Sequence, residues 1–180
     1  MVNSCKVYNN TGDDLVIASG GTLTIESGAT VTRSVVKKIP AANGRVGSGA
    51  GFTNASNTGA VLLPASQSAS TWVVPISGLK IGDIITGFKV VAQVESAGGT
   101  VTIDADLRKL TNAAADPSDA SLGAITQVSV TADTAVAASK TLSAAETVAS
   151  GTTCYVLVTA TTAGSTDIQL LGIELNVTEA

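Results

Sequence analysis

Histidine is absent from this chain of 180 residues, and cysteine occurs only twice. Without histidine, a Ser-His-Asp triad, a Cys-His nucleophile pair and the commonest protein metal ligand are all excluded. Cys5 and Cys154 lie far apart in the sequence, so neither a thiolate zinc site nor a disulfide in a reducing compartment is expected. Cys154 opens an apolar run and is expected to be a small core residue. The sequence therefore predicts a protein that is not an enzyme.

Charged and aromatic residues are also scarce, at 13% and 3% of the chain, and the net charge is −4. A nucleic-acid partner is not expected, because binding to the phosphate backbone requires a basic patch. A membrane partner is not expected either, since no apolar run approaches the ~20 residues of a membrane span. The first ten residues lack the apolar region of a signal peptide, so we expect synthesis and folding in the cytosol. Small and β-branched residues fill the remaining positions, which favours a tightly packed sheet protein in an obligate oligomer.

Two pairs of acidic residues are the formal candidates for a metal site. Asp104 and Asp106 lie two apart on a predicted strand and thus on one face, where a calcium ion could bridge them. The alternative, which we favour, is two solvent-facing acids beside Arg108. Asp116 and Asp119 flank a Pro-Ser turn, where aspartate commonly caps backbone amides instead of binding calcium. No metal and no cofactor is predicted.

A short repeat occupies the first part of the chain. Leu15, Leu23 and Val31 recur at a spacing of eight residues, as do Ile17 and Ile25. Each block begins with an apolar-x-apolar alternation, and the first two blocks end in a Ser-Gly turn, which is the pattern of short strands. Each such strand offers one narrow apolar stripe that cannot enclose a core, so the stripe must pack against other copies or against the rest of the chain. We favour the copies, and we predict that residues 1–40 form an oligomerisation and attachment stem.

The segment 41–70 changes character, because it is rich in Gly, Ala, Ser and Asn and shows no periodicity. A stretch of this length without pattern is not expected inside a compact domain. Two interpretations stay open: a flexible linker, or an arm that becomes ordered against a partner. In the second case the apolar residues Phe52, Val61, Leu62 and Leu63 would be the docking anchors on that partner.

Residues 71–180 read as strands throughout. Residues 72–76 hold a proline and predict an edge strand or a strand start, and Gly87 is expected at a bulge. The side chains expected to face the core are Ile84, Phe88, Val90, Ala92, Val94, Val101, Ile103, Ala105, Leu107, Leu142, Val148, Leu171, Ile173, Leu175 and Val177. Residues 111–123 are expected to form a loop. The predicted fold class is all-β: a short repetitive N-terminal β stem followed by an antiparallel, jelly-roll-like β-sandwich.

Carbohydrate binding is a competing function, since sandwiches often carry it and sugar sites usually present flat aromatic rings. Trp72 is the one plausible platform, because Phe88 fits the core face and Tyr155 lies in a strand expected to be buried. A tryptophan packed in the core is the favoured interpretation of Trp72.

The layout resembles small bacteriophage virion proteins. The glycine-punctuated repeat, the loose connector and the C-terminal sandwich are similar to trimeric capsid decoration (cement) proteins and head fibres, and the segments 72–76, 87–91 and 101–108 are similar to the jelly-roll domains of such proteins. This resemblance implies a homotrimer seated on the major capsid protein at the outer surface of the virion, with no catalysis and with synthesis in the host cytoplasm. Because the resemblance is one of architecture and not of a motif, it assigns no function to individual residues of this chain.

The sequence-based hypothesis is therefore a capsid decoration protein that binds as a trimer and stabilises the capsid. Two alternatives remain. One is a receptor-binding head or tail fibre, with a host-surface glycan bound around Trp72 or residues 112–119. The other is a carbohydrate-binding β-sandwich module.

Overall fold

The computed structural model of the chain describes residues 32–49, 51–54, 59–95, 99–112, 116–131 and 133–180, with only the backbone of residue 127. These residues form eleven strands: β1 (Arg33–Pro40), β2 (Arg45–Val46), β3 (Thr53–Asn54), β4 (Val61–Leu63), β5 (Ser70–Pro75), β6 (Ile84–Glu95), β7 (Val101–Thr111), β8 (Ser118–Val130), β9 (Thr134–Thr147), β10 (Thr152–Thr162) and β11 (Asp167–Glu179). One 3₁₀ turn, Ala41–Asn43, follows β1. The all-β prediction is confirmed.

The strands build two antiparallel sheets. One sheet has six strands in the order β3-β4-β11-β6-β9, with β1 also paired to β11, and the other has five strands in the order β2-β5-β10-β7-β8. If the three short strands are set aside, the orders β1-β11-β6-β9 and β5-β10-β7-β8 are those of a jelly roll. The predicted jelly-roll-like sandwich is therefore confirmed, and its strand order, which periodicity does not reveal, is now defined.

The core lies between the sheets and follows the alternation of the strands. On β7, Val101, Ile103, Ala105 and Leu107 are all buried, as predicted. Most of the core is aliphatic, and its buried members are Ile39, Ala41, Phe52, Val61, Leu63, Trp72, Val74, Ile85, Phe88, Val90, Ala92, Val94, Ile125, Val136, Leu142, Val148, Cys154, Val156, Val158, Ala160, Ile168, Leu170, Ile173, Leu175 and Val177, together with the four of β7. The inner faces thus supply the hydrophobic free energy that holds the sandwich.

Two bulges shift the alternation and overturn two predicted core positions. The pairing of β11 with β6 shifts between Leu170 and Gly172, so Leu170 is buried and Leu171 is 44% exposed. The pairing near Gly87 shifts in the same way, so Ile85 is buried and Ile84 only half-buried. The bulge predicted at Gly87 is confirmed. One extra residue on a strand turns every following side chain to the other face.

Glycine is required at one of these bulges by the close approach of another strand. A methyl group on Gly172 would lie 2.5 Å from the carbonyl oxygen of Ile39, because β1 crosses directly beside it. No side chain fits there without moving the backbone of β1.

The domain boundary expected at residue 40 is not where the sandwich begins. Arg33–Pro40 forms strand β1, which pairs with β11 over its whole length, from Arg33 opposite Glu179 to Pro40 opposite Gly172. Ile39 of this strand is buried in the core. The sequence pattern assigned this strand to the stem because its alternation continues that of the repeat.

The segment 41–70 also belongs to the sandwich in its described part, not to a linker. Val61–Leu63 pairs with β11, and Arg45–Val46 pairs with β5. Phe52 packs against Trp72 with ring centroids 5.9 Å apart. Strands of two or three residues are too short to show a periodicity, so no sequence pattern predicts them. Likewise, the loop expected at residues 111–123 is mostly strand, because β8 begins at Ser118.

Ion pairs fasten β1 to the sandwich. Asp83 is fully buried, accepts hydrogen bonds from the N–H groups of Lys80 (3.0 Å) and Ala180 (3.4 Å), and lies 3.8 Å from the ammonium of Lys37. The same ammonium lies 2.8 Å from Glu179, which also accepts from Arg33 at 3.0 Å. Lys37 and Arg33 of β1 thus tie the first long strand to the last through Glu179.

Candidate functional site

The five predicted stem residues, Leu15, Ile17, Leu23, Ile25 and Val31, lie outside the described residues. Their role in oligomerisation stays a prediction.

The predicted docking anchors are placed inside the sandwich. Phe52, Val61 and Leu63 are buried, and Leu62 is half-buried between β3 and β11. Their apolar side chains contact this chain's own core, which corrects their interpretation as anchors on an exposed arm. A docking surface must therefore be sought elsewhere on the sandwich.

The outer face of the five-stranded sheet carries a groove of about 560 Å³. We call it the outer-face groove. Its apolar walls are Val73, Pro75, Leu110 and Leu157, and its polar rim is formed by Asn43, Arg45, Thr153 and Tyr155. The volume is typical of ligand-binding clefts, which are mostly apolar with a few polar groups.

Strand pairing explains why these side chains meet. Directly opposed residues of neighbouring strands point to the same face, and Leu157 of β10 lies opposite Val73 of β5, while Tyr155 lies opposite Pro75. Arg45 of β2 is also opposite Val73. The inward-pointing neighbours on the same strands, such as Trp72 and Val156, are buried in the core. β5 and β10 are thus apolar on both faces.

A hydrogen-bonded network borders the groove. The Tyr155 hydroxyl donates to Asp119 at 2.9 Å, and Nε of Arg108 donates to both oxygens of Asp119 at 3.2 Å. Nη1 of Arg108 donates to Asp106 at 2.6 Å, and Asp106 also accepts from the Ser121 hydroxyl at 2.5 Å. The five side chains come from three neighbouring strands and hold one another in place.

The electrostatics of this network suit positioning and do not suit proton transfer. The hydrogen bond from Arg108 holds the pKa of Asp119 below its ordinary value. Burial, followed by the hydrogen bond to Asp119, raises the pKa of Tyr155. A general acid or base works best with a pKa near the operating pH, and both groups are moved away from neutrality.

Two of the acidic residues considered for calcium, Asp106 and Asp119, have other partners. Asp106 is paired with Arg108, as in the alternative that the sequence favoured. Asp119 lies on β8 and binds Arg108 and Tyr155, which corrects its expected role in capping a turn. Within the described ranges, no cluster of three or more His, Cys, Asp or Glu side chains is arranged to hold a metal ion.

Cys154 and Trp72 both lie in the core, as predicted from the sequence. Cys154 is buried with its thiol free, and burial raises the pKa of that thiol. The Trp72 indole N–H donates to the carbonyl oxygen of Ala41 at 2.8 Å from within the core. The glycan platform proposed for Trp72 is therefore not on the surface, and the aromatic side chain at the groove is the half-buried Tyr155.

The sequence carries a signal for the groove, although no pattern of catalytic or ligand-binding residues marks it. Val73 and Leu157 are apolar residues at outward-facing positions of strands whose inward positions are already apolar. Such a run is typical of a strand covered on both faces. The pattern predicts a strand buried by its own domain, whereas no residue that the structure describes covers the outer face of this sheet at Val73 and Leu157.

No helix in the described part of the chain is long and apolar enough to cross a membrane.

No protein-family model and no curated protein matches the sequence. Among solved structures, the enzymatically active domain of tailspike protein 4 from bacteriophage CBA120 is similar over 83% of this chain, with 13% identity and a TM-score of 0.29. The structure of the infectious bursal disease virus Gx strain is similar over 88% of this chain, with 9% identity and a TM-score of 0.32. This chain spans only 19% and 40% of the length of those two chains. Similarities this low carry no weight for function.

Proposed function

We propose that this protein is a structural component of a virion, a capsid decoration (cement) protein that binds the outer capsid as a homotrimer and stabilises it. The observation that carries the proposal is the outer-face groove on a jelly-roll sandwich. An apolar concavity on an outward sheet face is suited to gripping another protein, while the titratable groups beside it are moved away from neutral pKa values.

The trimer in this proposal rests on the repeat in residues 1–31. Three copies would bury each apolar stripe against two others, and threefold symmetry matches the threefold positions of a capsid. A trimer also gains avidity, because each contact after the first is intramolecular. Weak individual footholds are then sufficient for stable decoration.

Light scattering on a sizing column tests the oligomeric state. The chain has a mass of 17.8 kDa, and a trimer would give about three times that value. Co-sedimentation with capsids of the same virus that lack this protein tests the function, and decorated capsids should withstand heating better than bare ones. A monomer, or a trimer that leaves capsids bare, would overturn the proposal.

The structure defines where a truncation should end. Removal of residues 1–40 would delete β1 and uncover β11, whereas removal of residues 1–31 leaves every described strand intact. A decoration protein without residues 1–31 is expected to lose trimerisation and capsid binding. A receptor-binding fibre without them would still bind host cells through the sandwich.

Glycan binding, by a head or tail fibre or by a carbohydrate-binding module, is the second candidate. One observation favours it: Tyr155 stands at the edge of the groove with its hydroxyl fixed by Asp119, and a fixed aromatic ring beside polar groups is a common sugar platform. A glycan array probed with the intact protein and with Tyr155→Ala tests it. A host glycan bound by the intact protein and lost in the variant would place this function first.

A further inference from the structure

We infer that the outer-face groove receives an aliphatic segment of the major capsid protein that carries an aspartate or glutamate. The inference rests on the proposed decoration function for the identity of the partner, and on the groove itself for the chemistry of the segment.

The apolar walls of the groove reach the protein surface. Leu110 on one wall is 36% exposed, and Pro75 on another wall is exposed as well. Exposed apolar residues that continue a concave apolar surface mark an interaction site when they are contiguous. The occupant is therefore longer than one side chain, and its body is aliphatic.

The charge at the groove selects an acidic residue in that segment. Arg45 is the one residue charged at neutral pH among the described residues that line the groove. Neighbouring cations are neutralised within the chain: Arg108 by Asp106 and Asp119, and Lys109 by Glu146 at 2.8 Å. Arg45 and Asn43 have no ion-pair or hydrogen-bond partner for their side chains among the residues described. A guanidinium beside an amide suits a carboxylate, to which arginine can donate two parallel hydrogen bonds.

The groove is held in shape before a partner arrives. Its walls come from the paired strands β5, β7 and β10. The backbone just after Arg45 is fixed to β5, since Gly47 N–H donates to the Thr71 oxygen at 2.9 Å and Thr71 N–H donates to the Ser48 oxygen at 2.8 Å. A preformed site loses less conformational entropy on binding.

Two substitutions test the inference, each with a matched control. Arg45→Glu reverses the single charge of the groove, and its control is Lys140→Glu, which reverses an exposed cation on β9 of the other sheet. Leu110→Asp places a carboxylate on the apolar wall, and its control is Ile81→Asp, at an apolar residue that is 71% exposed and is not among the residues that line the groove. All four sites are exposed, so the fold and the solution mass should not change.

The affinity for capsids is the readout. Arg45→Glu and Leu110→Asp are each expected to weaken binding by about tenfold or more, as loss of a central interface contact does, while each control stays within about twofold of the unmodified protein. If the unmodified protein binds capsids and the two groove variants bind equally well, this inference is wrong and the decoration function stands. If the unmodified protein does not bind capsids, both are wrong.

A cross-link identifies the occupant. The full chain carrying a benzophenone amino acid at position 110 is irradiated on purified capsids, and the joined peptide is identified by mass spectrometry. An acidic, aliphatic segment of the major capsid protein supports the inference. A segment without a carboxylate, or a segment from a second copy of this chain, overturns it.

Discussion

The two sheets share one core but differ in what they present outward. On the six-stranded sheet, Lys38, Glu174 and Lys89 lie directly opposite one another on β1, β11 and β6, and both lysines form ion pairs with Glu174. On the five-stranded sheet the corresponding central positions hold Val73 and Leu157, and the charges are drawn to one side in the Asp106–Arg108–Asp119 network. Among the described residues, these three charges on the first face pair with one another, whereas the groove on the second face leaves apolar surface and the Arg45 guanidinium without an ion-pair partner. The two sheets are alike in their buried residues and differ in the outward-facing ones, so a difference in function between the sheets has to come from the outward-facing side chains.

The largest expected effect tests whether the inner faces are equivalent. Leu107→Ala on the five-stranded sheet and Leu170→Ala on the six-stranded sheet both remove a fully buried side chain, and each should lower the free energy of unfolding by about 2–5 kcal/mol. Chemical denaturation measures both. The matched outward substitutions Leu157→Ala and Leu171→Ala should cost less than about 1 kcal/mol. If Leu171→Ala were as costly as Leu170→Ala, the bulge between them would be misplaced.

The second prediction compares one carboxylate from each side. Asp83→Asn leaves the Lys37 ammonium without a buried partner and weakens the acceptor for two N–H groups, so we expect a loss of about 2 kcal/mol. Asp119→Asn alters a more exposed pair on the five-stranded sheet and should cost less than about 1 kcal/mol. Denaturation midpoints at pH 7 decide between them. Equal losses of stability in the two variants would show that the buried carboxylate of Asp83 is not the main group that holds β1 in place.

The third prediction concerns acid. The Lys80 N–H, aided by the Ala180 N–H and by Lys37, holds the pKa of Asp83 below its ordinary value, and hydrogen bonds from Lys37 and Lys89 do the same for Glu179 and Glu174. These groups bind protons less tightly when folded, so they stabilise the fold above the ordinary carboxyl range and lose that contribution as the pH falls through their folded-state pKa values. Stability should therefore be level near neutrality and fall below about pH 4.

Hydrogen exchange locates the acid effect. On acidification, the amides of β1 should lose protection before those of β10, because all three carboxylates hold β1 or its partner strand. Asp83→Asn should make the decline shallower. Simultaneous loss of protection in both strands would contradict this order.

The smallest effect is expected on the exposed ion pair of the six-stranded face. Lys38 is 78% exposed in its side chain and lies 3.8 Å from Glu174, and exposed pairs of this kind contribute little because water screens them. Lys38→Ala should leave the melting temperature unchanged. A clear fall in the melting temperature would mean that the ion pairs on this face contribute measurably to the stability of the fold.

The sequence predicted the fold best where alternation is strict. All of the residues expected to face inward on β7 do so, because Thr, Asp and Arg separate them at every second position. The prediction failed at Leu171, where one extra residue reverses the phase, and at Phe52, whose burial depends on a ring contact with Trp72 that no local pattern encodes. The groove was missed for a third reason. An outward-facing leucine such as Leu157 stands in an apolar run and cannot be told from a core residue by sequence. Only the three-dimensional structure shows that no described residue covers it.

The pairing of β1 with β11 has a consequence for how the protein is made. A ribosome releases β1 near the start of the sandwich sequence, but the strand on which it must lie is the last of the eleven. The pairing of β1 with β11 cannot form until β11 has been synthesised. It brings together residues that are far apart along the chain. Topologies of this kind fold on a scale of about milliseconds to seconds. A chain that ends before β11 therefore lacks the central strand of its six-stranded sheet, and β1 and β6 have no strand between them to pair with.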